Sequence, residues 1–209
     1  MTGLPRADRV IFLPGASGDG RFWAPVASRL PYPLDKVLLD WPGFGGRTPR
    51  DPDVRSLQDL VTLVLERVDR PVDLVAQSMG GVIAVRVTLQ RPQLIRRLVL
   101  VATSGGIDVN RFGARDWRDE YREAYPAVPL WFVDDRTDLM PLIPSIRCPT
   151  MLIWGDADPI SPLAVGEYLA RLLPRSKLVV ITGGEHMLGR DRPDDVAPLI
   201  ANHLAVEPG

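Results

Sequence analysis

The sequence predicts an α/β fold: a mostly parallel sheet of about six strands with helices on both faces. Short apolar runs typical of buried strands alternate with longer segments whose apolar residues recur at helical spacing. Such alternation indicates a parallel sheet, because parallel strands are joined by helical crossovers. The six strand-like runs are Val10–Leu13, Lys36–Asp40, Val72–Ala76, Leu98–Ala102, Thr150–Trp154 and Lys177–Ile181.

Two helices have clear start signals. The best helical pattern begins at Leu57 with apolar residues at i, i+3, i+4 and i+7 spacing, and Ser56 with Asp59 forms a capping box in front of it. A second helix is expected after the fifth strand, where Ser161 resembles an N-cap and Pro162 a first helical residue. Helices in these positions would cover the sheet between strands.

The segment between the fourth and fifth strands, at about residues 104–147, interrupts the alternation and predicts a small helical cap. A helix expected at about Arg115–Tyr125 would carry an aromatic stripe that something must cover. Packing on the main domain is one interpretation, and a roof over an apolar pocket, shared with Trp131 and Phe132, is the other. The stripe consists of Trp117, Tyr121 and Tyr125.

Composition limits the class of protein. A chain of 209 residues fits a single domain spanning residues 1–209, and a net charge of −1 without a long basic run argues against nucleic acid as a partner. No apolar run approaches the ~18 residues of a membrane span, so no membrane association is expected. Met1–Arg9 lacks the apolar core of a secretion signal, which favours a cytoplasmic location. With Cys148 the only cysteine, an internal disulfide is excluded. Nothing in the sequence indicates the oligomeric state.

Ser78 lies where a strand pattern turns directly into a helix pattern, in the run Gln-Ser-Met-Gly-Gly. A serine at so tight a turn is pushed clear of the sheet, and the small residues Ala76 and Gly80 let the strand and the helix pass close to it. These are the features of a nucleophile elbow. The usual pattern is Gly-x-Ser-x-Gly, and Ala76 replaces the first glycine here.

From about Val10 to about Leu204 the chain resembles the α/β-hydrolase family, because five motifs occur in that family's order. One departure is Pro14-Gly15 where many members have His-Gly, and this change leaves the backbone donors in place. The motifs are Phe12-Leu13-Pro14-Gly15-Ala16, Asp40-Trp41-Pro42-Gly43-Phe44-Gly45, the Ser78 elbow, Trp154-Gly155-Asp156-Ala157-Asp158-Pro159-Ile160-Ser161-Pro162 and Gly184-Glu185-His186.

The resemblance implies a Ser-Asp-His set. A serine hydroxyl needs a base to take its proton and hydrogen-bond donors for the oxyanion that forms. Ser78 corresponds to the nucleophile, His186 to the base and Asp158 to the acid that orients the base. Asp156 competes for the acid position and is interpreted as a loop-capping residue. The other histidine, His203, falls in a terminal helical pattern and is expected to be structural.

The same resemblance implies an oxyanion hole and a pocket. The backbone N–H groups of Ala16 and Met79 are expected to hold the oxyanion. Six side chains are expected to bind substrate, although three of them, at positions 23, 44 and 187, fit a core role equally well. The six are Trp23, Phe44, Trp117, Tyr121, Trp131 and Met187.

The function implied is hydrolysis of a carboxylic ester or thioester through an acyl-enzyme on Ser78, with no metal or organic cofactor. The expected partner is a small-molecule substrate with an apolar acyl part. Acyltransferase, lactonase and lyase reactions on the same scaffold stay open, as does a non-catalytic ligand-binding protein. A dinucleotide site is a weaker alternative. Gly15 to Gly20 and Asp40 imitate one, but the glycines run Gly-x-x-Gly-x-Gly where the fingerprint requires Gly-x-Gly-x-x-Gly.

Overall fold

A sheet of six parallel strands forms the centre of the protein. The structure is a computed structural model and describes residues 7–31, 34–45 and 48–205, so both ends of the predicted domain 1–209 lie outside the described residues. The predicted fold class is confirmed, and every strand pairing is parallel. The strands are β1 (Arg9–Leu13), β2 (Asp35–Leu38), β3 (Val72–Gln77), β4 (Ile95–Val101), β5 (Thr150–Gly155) and β6 (Ser176–Ile181).

The described ranges contain seven α-helices, six of which cover this sheet in two layers. Apolar side chains of α2, α3 and α5 pack on one face, and those of α1, α6 and α7 pack on the other. No helix in this part of the chain combines the length and the apolarity needed to cross a bilayer. The helices are α1 (Ala24–Ala27), α2 (Leu57–Leu65), α3 (Met79–Gln90), α4 (Arg118–Ala124), α5 (Leu163–Leu172), α6 (Leu188–Asp191) and α7 (Pro193–Ala205).

The inner strands are mostly apolar because both of their faces are covered, and their buried polar residues include Asp73, Arg96 and Arg97. In β1, Ile11 and Leu13 pack under the layer of α2, α3 and α5, whereas Val10 and Phe12 pack under the other layer. This alternation follows from the two-residue period of a strand. The edge strands β2 and β6 are only partly buried, since each has a neighbour on one side.

The strand order β2-β1-β3-β4-β5-β6 places a reversal between β1 and β3. The chain leaves β1 toward one edge of the sheet, and after β3 it proceeds toward the other. Connections that diverge in this way open a crevice beyond the carboxyl ends of the strands, where ligands bind in α/β sheets. The loops that follow β1 and β3 therefore border the candidate site.

The connection between β4 and β5, residues 102–149, is named the β4–β5 connection below. Its helix α4 is shorter than the predicted Arg115–Tyr125. The side chain of Asp116 accepts a hydrogen bond from the N–H of Arg118, which starts the helix there. The helix ends at Ala124 because Tyr125 precedes Pro126, and a residue before proline is disfavoured in helical geometry.

The two predicted helix starts have different outcomes. Ser56 caps α2 as expected: its hydroxyl accepts from the Asp59 N–H at 3.2 Å and donates to the Asp59 carboxylate at 2.8 Å. The predicted N-cap at Ser161 is wrong, because α5 begins one residue later than expected, with Pro162 in the capping position. The Ser161 hydroxyl donates instead to the carbonyl of Thr103 at 3.2 Å.

His203 lies on α7, at the opposite end of β4 from the loops that border the crevice. Burial, and then the positive charge of Arg97, lower the pKa of His203 from 6.5 to about 4. Its Nε2 atom is buried and has no hydrogen-bond partner among the described residues. The ring is therefore held neutral in the folded protein, in keeping with the structural role expected for it.

Burial of the His203 ring predicts that the free energy of unfolding falls as the pH is lowered. Above about pH 6.5 the ring is neutral in both states, but below that pH the unfolded chain binds a proton that the folded chain rejects until about pH 4. Between about pH 6.5 and pH 4, we expect the free energy of unfolding of the parent to fall by on the order of 1–3 kcal/mol more than that of His203→Gln. Urea unfolding of both proteins across this range measures the difference. Burial also raises the pKa of Asp73 to about 6, with the opposite effect on stability, and this contribution cancels in the comparison. Parallel pH profiles would contradict the prediction.

Candidate active site

Ser78 sits at a strained turn between β3 and α3. Its φ of 53° and ψ of −123° are unusual for a residue with a side chain. The turn also requires close backbone approach: a Cβ atom on Gly80 would lie 2.4 Å from the carbonyl oxygen of Pro14. Ala76 is fully buried beneath the turn. The small residues that flank Ser78 are thus explained by the lack of space around it.

A chain of hydrogen bonds joins Ser78, His186 and Asp158. The Nε2 atom of His186 lies 3.1 Å from the Ser78 Oγ, and its Nδ1 atom lies 2.8 Å from Oδ2 of Asp158. With the ring proton on Nδ1, the ring donates to the carboxylate and accepts from the serine hydroxyl. These three side chains come from the ends of β3, β5 and β6, and the sequence had singled out all of them.

The Asp158 carboxylate is buried, and its own loop orients it. Its Oδ1 atom accepts the backbone N–H groups of Ile160 at 2.8 Å and Ser161 at 3.0 Å, which leaves Oδ2 directed at His186. A buried carboxylate beside an imidazole stabilises the charged ring that forms when the ring takes a proton. This geometry provides a serine, a base and a group that orients the base.

Asp156, the competing acid, is exposed and points away from the His186 ring. Its Oδ1 atom accepts the N–H of Gly183 at 2.6 Å, so it holds the start of the loop that carries His186. The two loops also pack closely, since a Cβ on Gly155 would lie 2.0 Å from the carbonyl oxygen of Gly184. Asp156 thus has the loop-capping contact expected of it.

The loop after β1 is held by hydrogen bonds to four successive carbonyl groups. The donor atoms come from different parts of the chain, and each fixes one peptide plane. The pairs are Trp23 Nε1 to Leu13 at 2.9 Å, Trp41 Nε1 to Pro14 at 3.1 Å, Gly18 N to Gly15 at 3.1 Å and the Tyr121 hydroxyl to Ala16 at 2.8 Å. Ala16 and Met79, the two expected oxyanion donors, border the same cavity as Ser78.

A cavity of about 400 Å³ opens at Ser78 between the sheet edge and the β4–β5 connection. Three of its charged lining residues, Asp108, Arg136 and Asp138, are exposed, whereas Arg118 and Asp135 are partly buried. Of the six residues expected to bind substrate, Trp117, Tyr121 and Met187 line the cavity. The other apolar lining includes Leu57, Val82, Ile107, Phe132 and Ile160.

The remaining three expected pocket residues lie elsewhere. Trp23 is fully buried against Phe12 and supports the loop after β1 from the core side. Phe44 is also fully buried and packs behind the cavity wall, against Phe132 and Trp131. Trp131 itself is outside the lining. None of these three residues lines the cavity: Phe132 faces it, and Phe44 and Trp131 pack behind Phe132.

Two polar residues that support the site were missed by the sequence analysis. The Gln77 side-chain amide donates to the backbone carbonyl of His186 at 3.2 Å, and the Thr103 hydroxyl donates to the carbonyl of Ser78 at 2.6 Å. Each is a buried polar residue at the carboxyl end of a strand. That position is the signal that would have identified them, because a buried polar group needs a partner.

A dinucleotide site would need free hydrogen-bonding groups in the loop of Gly15 to Gly20, but this loop is hydrogen-bonded to other groups of the protein. The Gly20 N–H donates to the Asp40 carboxylate at 2.7 Å, and a Cβ on Gly18 would overlap Phe44. The glycines therefore serve close packing in this loop. Within the described ranges, no three His, Cys, Asp or Glu side chains gather as metal ligands would.

Comparisons with known proteins agree with this geometry. Residues 10–199 match the family model described as the Alpha/beta hydrolase family. The chain is 25% identical to the uncharacterized hydrolase YugF of Bacillus subtilis, over 82% of this chain and 79% of YugF. It is 24% identical to a pimeloyl-(acyl-carrier protein) methyl ester esterase of Neisseria meningitidis, over 88% of each protein. A thermophilic esterase from Thermogutta terrifontis superimposes with a TM-score of 0.77 and 21% identity, over 97% of this chain and 90% of that one, a likeness of fold.

Proposed function

The chain belongs to the alpha/beta hydrolase family, and on that premise we propose that it is a serine hydrolase that cleaves a carboxylic ester or thioester. The observation that carries the proposal is the His186 ring, which bridges Ser78 at 3.1 Å and Asp158 at 2.8 Å. In this proposal residues 1–209 form one domain, and the β4–β5 connection is its cap. A cytoplasmic location and a reaction without cofactors remain predictions from the sequence.

The first half of the reaction forms an acyl-enzyme. The Ser78 Oγ attacks the carbonyl carbon of the substrate while its proton passes to His186 Nε2. The backbone N–H groups of Ala16 and Met79 hold the resulting oxyanion. The intermediate then breaks the bond to the alcohol or thiol, which leaves with the proton from His186. Asp158 stabilises the charged ring in between.

Water completes the reaction. It gives a proton to His186 and adds to the acyl carbon, so that a second oxyanion forms in the same position. Collapse of this intermediate returns the proton to the Ser78 oxygen and releases the carboxylic acid. The Ser78 and His186 side chains end in the protonation states in which they began.

The walls of the cavity favour an apolar acyl group. Val82, Ile107, Trp117 and Phe132 form apolar surface around the space that opens at Ser78. A volume of about 400 Å³ is within the range of cavities that enclose small molecules. Acyltransferase, lactonase and lyase reactions use the same groups, and a substrate panel distinguishes them. A ligand-binding role is disfavoured, because a binding protein has no need of this hydrogen-bonded set.

Replacement of Ser78 by alanine should abolish turnover of p-nitrophenyl esters and covalent labelling by a fluorophosphonate probe. The reason is that both reactions need the Ser78 oxygen as nucleophile. Ser28→Ala removes a hydroxyl from an exposed helix end and should leave both signals unchanged. Labelling is followed by intact-protein mass. An S78A protein that still turns over esters would place the nucleophile elsewhere.

Substitution at the two neighbouring acids should separate their roles. Asp158→Asn keeps a hydrogen-bond partner for the His186 ring, but the amide no longer holds the ring proton on Nδ1. We expect kcat to fall by about 10⁴ if the serine-protease precedent holds. Asp156→Asn changes a loop contact 2.6 Å from Gly183 and should cost less than about tenfold. Steady-state kinetics on one ester measures both. The reverse ranking would assign the acid to Asp156.

Acyl chain length should control specificity. Each methylene that enters the apolar cavity gains ~0.8 kcal/mol, so kcat/KM should rise about fourfold per carbon until the cavity is full. A series of p-nitrophenyl esters keeps the leaving group constant, and matching thioesters and lactones identify the reaction type. Val82→Phe should move the optimum to shorter chains, because Val82 lines the cavity. A flat series would argue against an apolar acyl site.

A further inference from the structure

One of the four carbonyl contacts on the loop after β1 differs from the others. Trp23, Trp41 and Gly18, which hold the carbonyls of residues 13–15, belong to the main body of the fold. The carbonyl of Ala16 is instead held at 2.8 Å by the hydroxyl of Tyr121, on α4 of the β4–β5 connection, 105 residues away. The residue expected to supply an oxyanion donor is thus fixed partly by the cap.

The Tyr121 ring has a well-defined position. It meets Trp117 and Phe132 edge-on, with centroids 5.7 Å and 5.4 Å away, and packs on Tyr125 at 4.9 Å. Phe132 in turn packs on Phe44, in the loop after β2. A ring held on several sides can aim its hydroxyl at a small rotational cost. Burial raises the pKa of Tyr121, which keeps the hydroxyl protonated and able to donate.

We propose that Tyr121 is a positioning residue for the oxyanion hole: its hydroxyl holds the Ala16 carbonyl, and thereby the peptide that follows Ala16, while Gly18 holds the preceding peptide, so that the Ala16 N–H is aimed, with that of Met79, at the developing oxyanion. The inference rests on the proposed function, since it assigns a role within that reaction. Tyr121 acts through Ala16 and transfers no proton. Docking of the cap on the core thereby restrains one side of the expected oxyanion donor.

This role predicts an effect confined to the transition state. Donors fixed before the reaction stabilise an oxyanion without reorganisation, and loss of a whole donor costs 10²–10³ in kcat. Tyr121→Phe leaves the donor present but releases the peptide that follows it, so the donor is less firmly aimed and we expect kcat to fall about tenfold. KM should stay within about twofold, because the neutral substrate carbonyl gains little from the hole. If the hydroxyl only tied down the cap, KM or stability would change instead.

The test compares Tyr121→Phe with Tyr168→Phe. The Tyr168 hydroxyl also contacts the β4–β5 connection, at the Met140 sulfur 3.3 Å away, and Tyr168 lies outside the cavity lining. The control, on α5, thus removes a hydroxyl contact to the same connection without touching the loop after β1. Urea unfolding of both variants shows first that they fold. We then measure kcat, KM and the inhibition constant of an alkylboronic acid with the preferred chain length.

The boronic acid reports on the oxyanion hole. The Ser78 oxygen bonds to boron, the proton passes to His186, and one oxygen of the tetrahedral boronate occupies the oxyanion position. We expect the boronic acid to bind Y121F about tenfold more weakly than the parent, in step with kcat, and to bind Y168F as it binds the parent.

Two failures can be told apart. If the parent is inhibited and labelled at Ser78 while Y121F keeps the parent's kcat and boronic acid affinity, the positioning role is overturned and the proposed function stands. A rise in KM at constant kcat would also overturn it, in favour of a simple tether. A parent that neither turns over esters nor binds the boronic acid overturns the proposed function, and the role of Tyr121 with it.

Discussion

The hydrogen bond between His186 and the buried carboxylate of Asp158 is the interaction on which the site depends. A carboxylate removed from water needs donors, and Asp158 has the N–H groups of Ile160 and Ser161 together with the Nδ1 of His186. The loops after β5 and β6 are joined by this contact and by the close approach of Gly155 to Gly184. Because the joined loops carry the ring to Ser78, a neutral imidazole can accept the serine proton in place.

Close packing under Ser78 fixes the position of this serine, as the contact with Asp158 fixes the position of the His186 ring. The left-handed backbone of Ser78 is unfavourable by itself, and it persists because neighbouring groups leave the turn no alternative. Gly80 packs on the Pro14 carbonyl, and Thr103 donates to the Ser78 carbonyl from the next strand. These contacts tie the elbow to the loop after β1, so that Ser78, the candidate nucleophile, and the candidate oxyanion donors border one cavity.

The aromatic side chains show where inference from sequence reached its limit. The sequence analysis expected Trp23, Phe44 and Trp131 to bind substrate, with a core role equally possible for Trp23 and Phe44. Trp23 and Phe44 are fully buried, and Trp131 is partly buried outside the cavity lining. The sequence pattern does not say on which side of the cavity wall an aromatic ring lies. Phe132 lines the cavity while Phe44 and Trp131 pack behind it, because the β4–β5 connection folds over the loop after β2. Contacts between segments distant in the chain decided this arrangement.

Local signals, readable from short stretches of sequence, identified the parallel sheet, the elbow and the order serine, aspartate, histidine. Strand period, turn residues and polar groups at strand ends are all properties of neighbouring residues. The resemblance to the family already favoured Asp158 over Asp156. The supporting bonds of Gln77 and Thr103 and the contact of Tyr121 with Ala16 depend on distances across the fold. Those distances arise only when parallel strands bring their carboxyl ends to one edge, which no local pattern encodes.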